Sequence, residues 1–156
     1  ANRHGNLLET TVKEVLIQRG FTILPYKDWK NGALLTTEDI LLTRCPFESI
    51  YNHPGHTEFI VKSKRYHLDT RIECKWQQVS GSVDEKLPYL YLNCIENMPE
   101  DHVILIIDGK GWKKGAIQWL KTAVKEKRYT NQSNRHKHID IFQLTEFISW
   151  VNTTIR

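Results

Sequence analysis

From Leu68 the chain alternates: Leu68, Thr70, Ile72, Cys74 and Trp76 fall on one side, and Asp69, Arg71, Glu73, Lys75 and Gln77 on the other. A strict two-residue period is that of a β-strand with one face in the core. Upstream, Leu7, Leu8, Thr11, Val12, Val15 and Leu16 recur at helical spacing, and Gly20 stands where a C-terminal cap belongs, so residues 6–19 are predicted to form an amphipathic helix. Residues 21–24 read as a short extended piece, and Pro25, Asp28, Asn31 and Gly32 as a loop. Residues 40–45 read as a strand that Pro46 ends. Asn52-His53-Pro54-Gly55 is turn chemistry leading into 57–61, whose β-branched and aromatic content predicts another strand. Residues 62–66 then turn the chain back into the alternating strand, which makes a hairpin.

Beyond the hairpin, Ser80-Gly81-Ser82 is a break and Asp84 a candidate N-cap. Residues 85–95 then read as a helix with Leu87, Leu90, Tyr91 and Cys94 on one face. Pro88 falls in its first turn, where a missing donor costs least. Residues 103–107 are a continuous apolar run ending at Asp108-Gly109, the pattern of a strand buried on both faces. A helix is predicted over 116–127, with Ile117, Leu120 and Val124 inward. The stretch 125–138 sets Lys125, Lys127, Arg128, Arg135 and Lys137 against the single acid Glu126 and is expected to be a basic, mobile loop. A last strand over 139–142 and a closing helix marked by Leu144, Phe147, Ile148 and Val151 complete the chain. This order predicts an α/β fold, a mixed central β-sheet flanked by helices on both faces.

At 156 residues the chain suits a single domain, 1–156. Its 40% hydrophobic and 26% charged residues are ordinary for a globular protein, and no apolar run reaches the ~20 residues of a membrane span. No signal peptide or anchor is expected. A formal net charge of +4 permits a polyanionic partner without requiring one. Cys45, Cys74 and Cys94 are too widely spaced for a paired-cysteine zinc motif or a disulfide framework, so a reducing, cytoplasmic setting is expected. His53 and His56 with Cys45 lack a fourth zinc ligand, and a polar turn is the preferred reading there. Cys74, on the apolar side of its strand, reads as core.

Glu73 and Lys75 are one pleat step apart, roughly 7 Å, on the polar face. Alone, such a pair is most often a solvated surface pair worth under ~1 kcal/mol. A metal ion needs convergent oxygens, and Asp69, four residues from Glu73, lies about 13 Å away along the strand. If the hairpin turns on Arg65-Tyr66, Glu58 lies directly across from Glu73, Phe59 opposes Ile72 and Val61 opposes Thr70. Directly opposed Cβ atoms are about 5 Å apart, close enough for two carboxylates to share a divalent cation. Lys75 then sits diagonally from Glu58, within reach of an attacking water or of charge growing on a phosphate.

An acid followed by Glu-x-Lys on a hairpin behind an N-terminal helix resembles the PD-(D/E)XK nuclease superfamily, the restriction-endonuclease-like fold. The run Arg71-Ile72-Glu73-Cys74-Lys75-Trp76-Gln77 continuing to Gly81-Ser82-Val83-Asp84-Glu85-Lys86 is similar to one of its small phage and bacterial branches. The resemblance implies hydrolysis of DNA phosphodiesters with Mg²⁺ or Mn²⁺. Glu58 and Glu73 would hold the metal, Lys75 would support the attacking water, and Glu9 would match an acid many members carry on the first helix. Gln77 would match a glutamine found past the motif in some branches. The family usually has Asp after Pro as its first acid, whereas this chain has Thr57-Glu58, and Asp69 is the rival for that place. Lys86, Lys110, Lys113, Lys114, Lys127, Arg128, Arg135 and Lys137 are candidate DNA contacts, and Tyr89 stands near the same end. Symmetric cleavage of a duplex implies a homodimer. Two other readings stay open: a non-catalytic nucleic-acid-binding module on a nuclease-like fold, and a structure-selective resolvase of the Holliday-junction type.

Overall fold

The computed structural model describes residues 3–156. A six-stranded sheet with its strands in sequence order runs through the molecule. Its strands are β1 (Thr22–Pro25), β2 (Ile40–Glu48), β3 (Pro54–Ser63), β4 (Leu68–Trp76), β5 (His102–Asp108) and β6 (His138–Phe142). Helix α1 (Arg3–Ile17) precedes the sheet, α2 (Tyr26–Lys30) follows β1, α3 (Lys86–Glu96) and α4 (Lys114–Glu126) make the crossovers after β4 and β5, and α5 (Leu144–Thr154) closes the chain. The sheet is mixed: β2, β3 and β4 are antiparallel, while β1 joins β2, β5 joins β4 and β6 joins β5 in parallel. Among the described residues no helix is long and apolar enough to cross a membrane.

Two apolar layers cover the sheet. On one face Leu8, Val12 and Leu16 of α1, spaced one turn apart, pack with Phe147 and Val151 of α5 against Leu41, Phe59, Ile72, Cys74, Ile104 and Ile106. On the other, α3 and α4 bury Leu87, Leu90, Tyr91, Leu120 and Ala123 against Val103, Leu105 and Ile107. The apolar run of β5 therefore divides by parity between the two layers, as expected of a parallel strand buried on both sides.

Four local expectations need correction. The loop expected after β1 contains the short helix α2, whose Tyr26 and Trp29 pack beside Ile40, Leu42 and Ile60. Pro46 does not end β2, which continues to Glu48. Beyond Thr43 only β3 pairs with it, and a strand with one free side tolerates a residue lacking N–H. The basic stretch before β6 is closely tied rather than mobile. Tyr91 Oη donates to the carbonyls of Ala123 and Arg128, Lys127 Nζ to those of Arg135 and Lys137, and Lys137 Nζ to those of Cys94 and Met98. Finally, β4 does not have one wet face. Residues 70–74 are all buried, including Arg71 at 2% exposure and Glu73 at 5%.

Candidate active site

The hairpin register agrees with the sequence expectation: Phe59 pairs with Ile72, Val61 with Thr70 and Lys62 with Asp69, across a loop at 64–67. Beyond Phe59 and Ile72 the paired ladder stops, and the Glu58 side chain crosses the opening, its Oε2 accepting from the Cys74 backbone N–H at 2.8 Å. The β2–β3 ladder is interrupted at the same level. Thr43 pairs with Phe59 and Cys45 with Thr57, while Arg44 between them takes a left-handed backbone, φ 48°. Glu58 thus stands where the sheet loosens on both sides of β3, with one carboxylate oxygen already anchored.

That placement brings its carboxyl within hydrogen-bonding reach of the Glu73 carboxyl. Glu9, carried on α1, reaches Glu58 in the same way. Lys75 Nζ lies 3.8 Å from Glu73 Oε1, with its side chain partly open to solvent. Burial pushes the Glu73 carboxyl well above its ordinary value, and the adjacent Glu58 adds to the rise, while Lys75 opposes it. The Glu9 carboxyl is also raised, by burial first and then by Glu58. Three acids held this close are costly unless a positive charge joins them.

Arg71 supplies the scaffold behind the pair. It forms an ion pair with Glu100, donates to Thr57 Oγ1 at 3.0 Å, and reaches the carbonyls of Cys45 and Pro46. One buried guanidinium thereby ties β4 to β2 and to the residue preceding Glu58.

The remaining sequence candidates are more scattered. Asp69 forms an ion pair with Lys62 at 2.9 Å with its side chain 62% exposed, near the start of β4 and away from Glu73. Gln77 directs its amide to the Val79 carbonyl, and its backbone is clasped by the turn after β5, where Gly111 N–H donates to its carbonyl. Lys86, Lys110, Lys113 and Lys114 are exposed. The last three follow the C-terminal end of β5, the strand end nearest Lys75 in the parallel register. Lys127, Arg128, Arg135 and Lys137 precede β6 and so lie at the opposite end of the parallel strands. Lys127 and Lys137 are occupied by backbone carbonyls there, and Arg128 pairs with Glu126. His53 and His56 are exposed while Cys45 is buried, donating to the Leu42 carbonyl.

Lys13 and Arg44, which the sequence pattern did not single out, stand beside the acids. A cavity of about 340 Å³ is lined by Glu9 and Glu58 together with Lys13, Arg44 and His56. Lys13 is one helical turn from Glu9, a spacing legible in sequence. Arg44 reaches the cavity only through the interruption of β2.

The sequence matches the PD-(D/E)XK nuclease superfamily domain over residues 1–155. The chain belongs to the PD-(D/E)XK nuclease superfamily. Searches of curated proteins and of solved structures return no match. The mixed six-stranded sheet with helices on both faces is consistent with the core of this superfamily. Membership points to a nuclease-type phosphodiesterase, and in a PD-(D/E)XK nuclease the acid pair and lysine on the hairpin are the place to look for its chemistry. The donor set suits a hard divalent cation: all its ligand atoms are carboxylate oxygens, and the buried Glu73 needs a compensating positive charge.

Proposed function

We propose that this protein is a metal-dependent DNA endonuclease using Mg²⁺ or Mn²⁺, with Glu58 and Glu73 holding the metal and Lys75 supporting the nucleophile. The observation that carries the reading is the buried Glu73 carboxyl beside Glu58, with the Lys75 ammonium 3.8 Å away. A bound divalent cation would polarise the phosphate and lower the pKa of water.

The chain's own residues supply the rest. The Cys74 N–H fixes the Glu58 carboxylate, so little reorientation is needed when phosphate arrives. Lys75 is open enough to meet solvent and close enough to Glu73 to be oriented by it. It can hold the attacking water or neutralise charge growing on the phosphate. In hydrolysis the water oxygen bonds to phosphorus, the phosphate–sugar ester bond breaks, and the sugar oxygen leaves with a proton. Glu9 would act as a further carboxylate on Glu58's side. Lys13 and Arg44 in the adjacent cavity, and Lys86, Lys110, Lys113 and Lys114 nearby, are suited to phosphates on either side of the cut. Cutting both strands symmetrically would require two copies of the chain.

The test is supercoiled plasmid incubated with Mg²⁺ beside an EDTA control. Wild type should nick or linearise the DNA only with metal, and Lys75→Ala should lower the rate by about 10²–10³-fold. Glu73→Ala should abolish cutting. Equal cutting by wild type and both variants would remove the site assignment, and salt-sensitive DNA binding by the wild type without cutting would establish a binding module instead.

A further inference from the structure

At the other end of the parallel strands, His102 opens β5 and His138 opens β6, paired directly in the parallel register. Paired residues on parallel strands share a face, and Asp140, two residues after His138, shares it too. His102 Nε2 lies 2.8 Å from Asp140 Oδ2, and His138 Nε2 lies 3.1 Å from Asp140 Oδ1. One potential ligand atom from each of the three residues falls within 4.8 Å of the others. Among the described residues this is the one group of three or more histidine, cysteine, aspartate and glutamate side chains that converges so closely. We propose that His102, His138 and Asp140 form a second metal site, selective for a transition metal of the zinc type and separate from the carboxylate pair.

The separation follows from the register. His102 pairs with Thr70 and Leu105 with Glu73, so the two centres are about 10 Å apart along the strands. They also differ in face, because His102 packs near Trp150 of α5 while Leu105 belongs to the layer under α3 and α4. The chemistry differs as well. Two imidazole nitrogens and one carboxylate oxygen favour Zn²⁺ and its neighbours over Mg²⁺, with the fourth position left to solvent. Tetrahedral zinc at 2.0–2.1 Å from each ligand spaces ligand atoms about 3.3 Å apart. Whichever Asp140 oxygen binds, its present contact, 2.8 Å for Oδ2 with His102 or 3.1 Å for Oδ1 with His138, would open by about half an ångström or less.

The surroundings suit a ligand as well. His102 Nδ1 lies 2.9 Å from Thr70 Oγ1, and Thr70 is buried. A hydroxyl both donates and accepts, so it can accept a hydrogen bond from Nδ1–H when Nε2 binds metal and fix the imidazole for coordination. Trp150 and Phe142 provide an apolar wall nearby. Bound metal would clamp β6 to β5 and, through Thr70, to β4.

Protein freed of metal with EDTA and dialysed is titrated with Zn²⁺ by calorimetry, and with Co²⁺ to read the visible bands of a four-coordinate site. The expected result is a zinc site retained in Glu73→Ala, and a Tm raised by about 5–10 °C with free zinc a hundredfold above Kd. His138→Ala, His138→Gln and Asp140→Asn should lose the cobalt bands and the Tm shift. Thr70→Val should weaken binding by about 10–100-fold. His136→Ala, whose side chain pairs with Asp101 instead, should bind as wild type. The His138 side chain is 69% exposed, so its replacement is not expected to disturb the fold, and matching metal-free circular dichroism verifies this. No zinc binding, binding unchanged in the His138 and Asp140 variants, or binding lost with Glu73→Ala would each show a hydrogen-bonded network only and overturn the proposal.

Discussion

Glu73 is the residue at which the needs of the fold and the proposed chemistry oppose each other. Its carboxyl is buried beside Glu58, so its pKa is raised and the folded protein holds the proton longer than the unfolded chain does. The stabilisation from that proton is present below the ordinary value of 4.5 and is lost as pH rises through the raised pKa. Metal-free protein should therefore lose stability toward neutral pH, and Glu73→Gln should flatten that part of the curve. Urea unfolding in EDTA across this range reads it directly, and an undiminished slope in the variant would mean another group is responsible. Arg71 is the opposite case, a buried charge whose partners are all protein groups. Arg71→Met leaves Glu100 unpaired and should cost about 3–5 kcal/mol in the same measurement.

Among the elements, the hairpin carries the proposed site and the turn after β5 braces it. Gly109 has φ 99° and lies so close to the Gln77 carbonyl that a Cβ would collide with backbone. Gly109→Ala should destabilise by about 1–3 kcal/mol. The clash is at the end of β4, just past Lys75, so cleavage should fall along with thermal stability. Had the turn been free of β4, the positive φ would still cost stability, but cleavage would not fall with it. The segment before β6 shows the reverse of its composition: two of its cations, Lys127 and Lys137, are spent on carbonyls. Burial lowers the Lys137 pKa. Lys137→Ala should cost stability of about 1–3 kcal/mol, read by thermal unfolding, because two carbonyls lose their donor.

For the whole molecule, the formal charge of +4 is less informative than its distribution. Lys110, Lys113 and Lys114 lie at the strand end that carries Lys75, and Arg135 lies at the other. If DNA runs past the acid pair, replacing the three lysines together by alanine should weaken binding. It should also reduce the slope of log K against log salt by roughly 0.9 for every phosphate that is no longer neutralised. Arg135→Ala should change that slope less. Filter binding over a salt series distinguishes them, and equal slopes would mean that DNA takes a different path.

Much of this protein was legible in its sequence. The two-residue period of 68–77, the helical spacing of Leu8, Val12 and Leu16, and the apolar run of 103–107 each depend on neighbours a few positions apart, so the elements and their order could be read from the chain. Even the register of the hairpin followed, because matching the apolar faces of Phe59 and Ile72 leaves little choice. Only the tertiary structure decided which polar positions are buried. Alternation shows that Arg71 and Glu73 share a face, but covering that face takes α3 and α4, which come later in the chain. It also decided that Glu58 turns from the ladder to meet Glu73, that Arg44 enters the cavity, and that His102 meets His138 and Asp140. The physical reason is that each of these depends on strands brought side by side from distant parts of the chain, and no local period records which distant residue will be across the sheet.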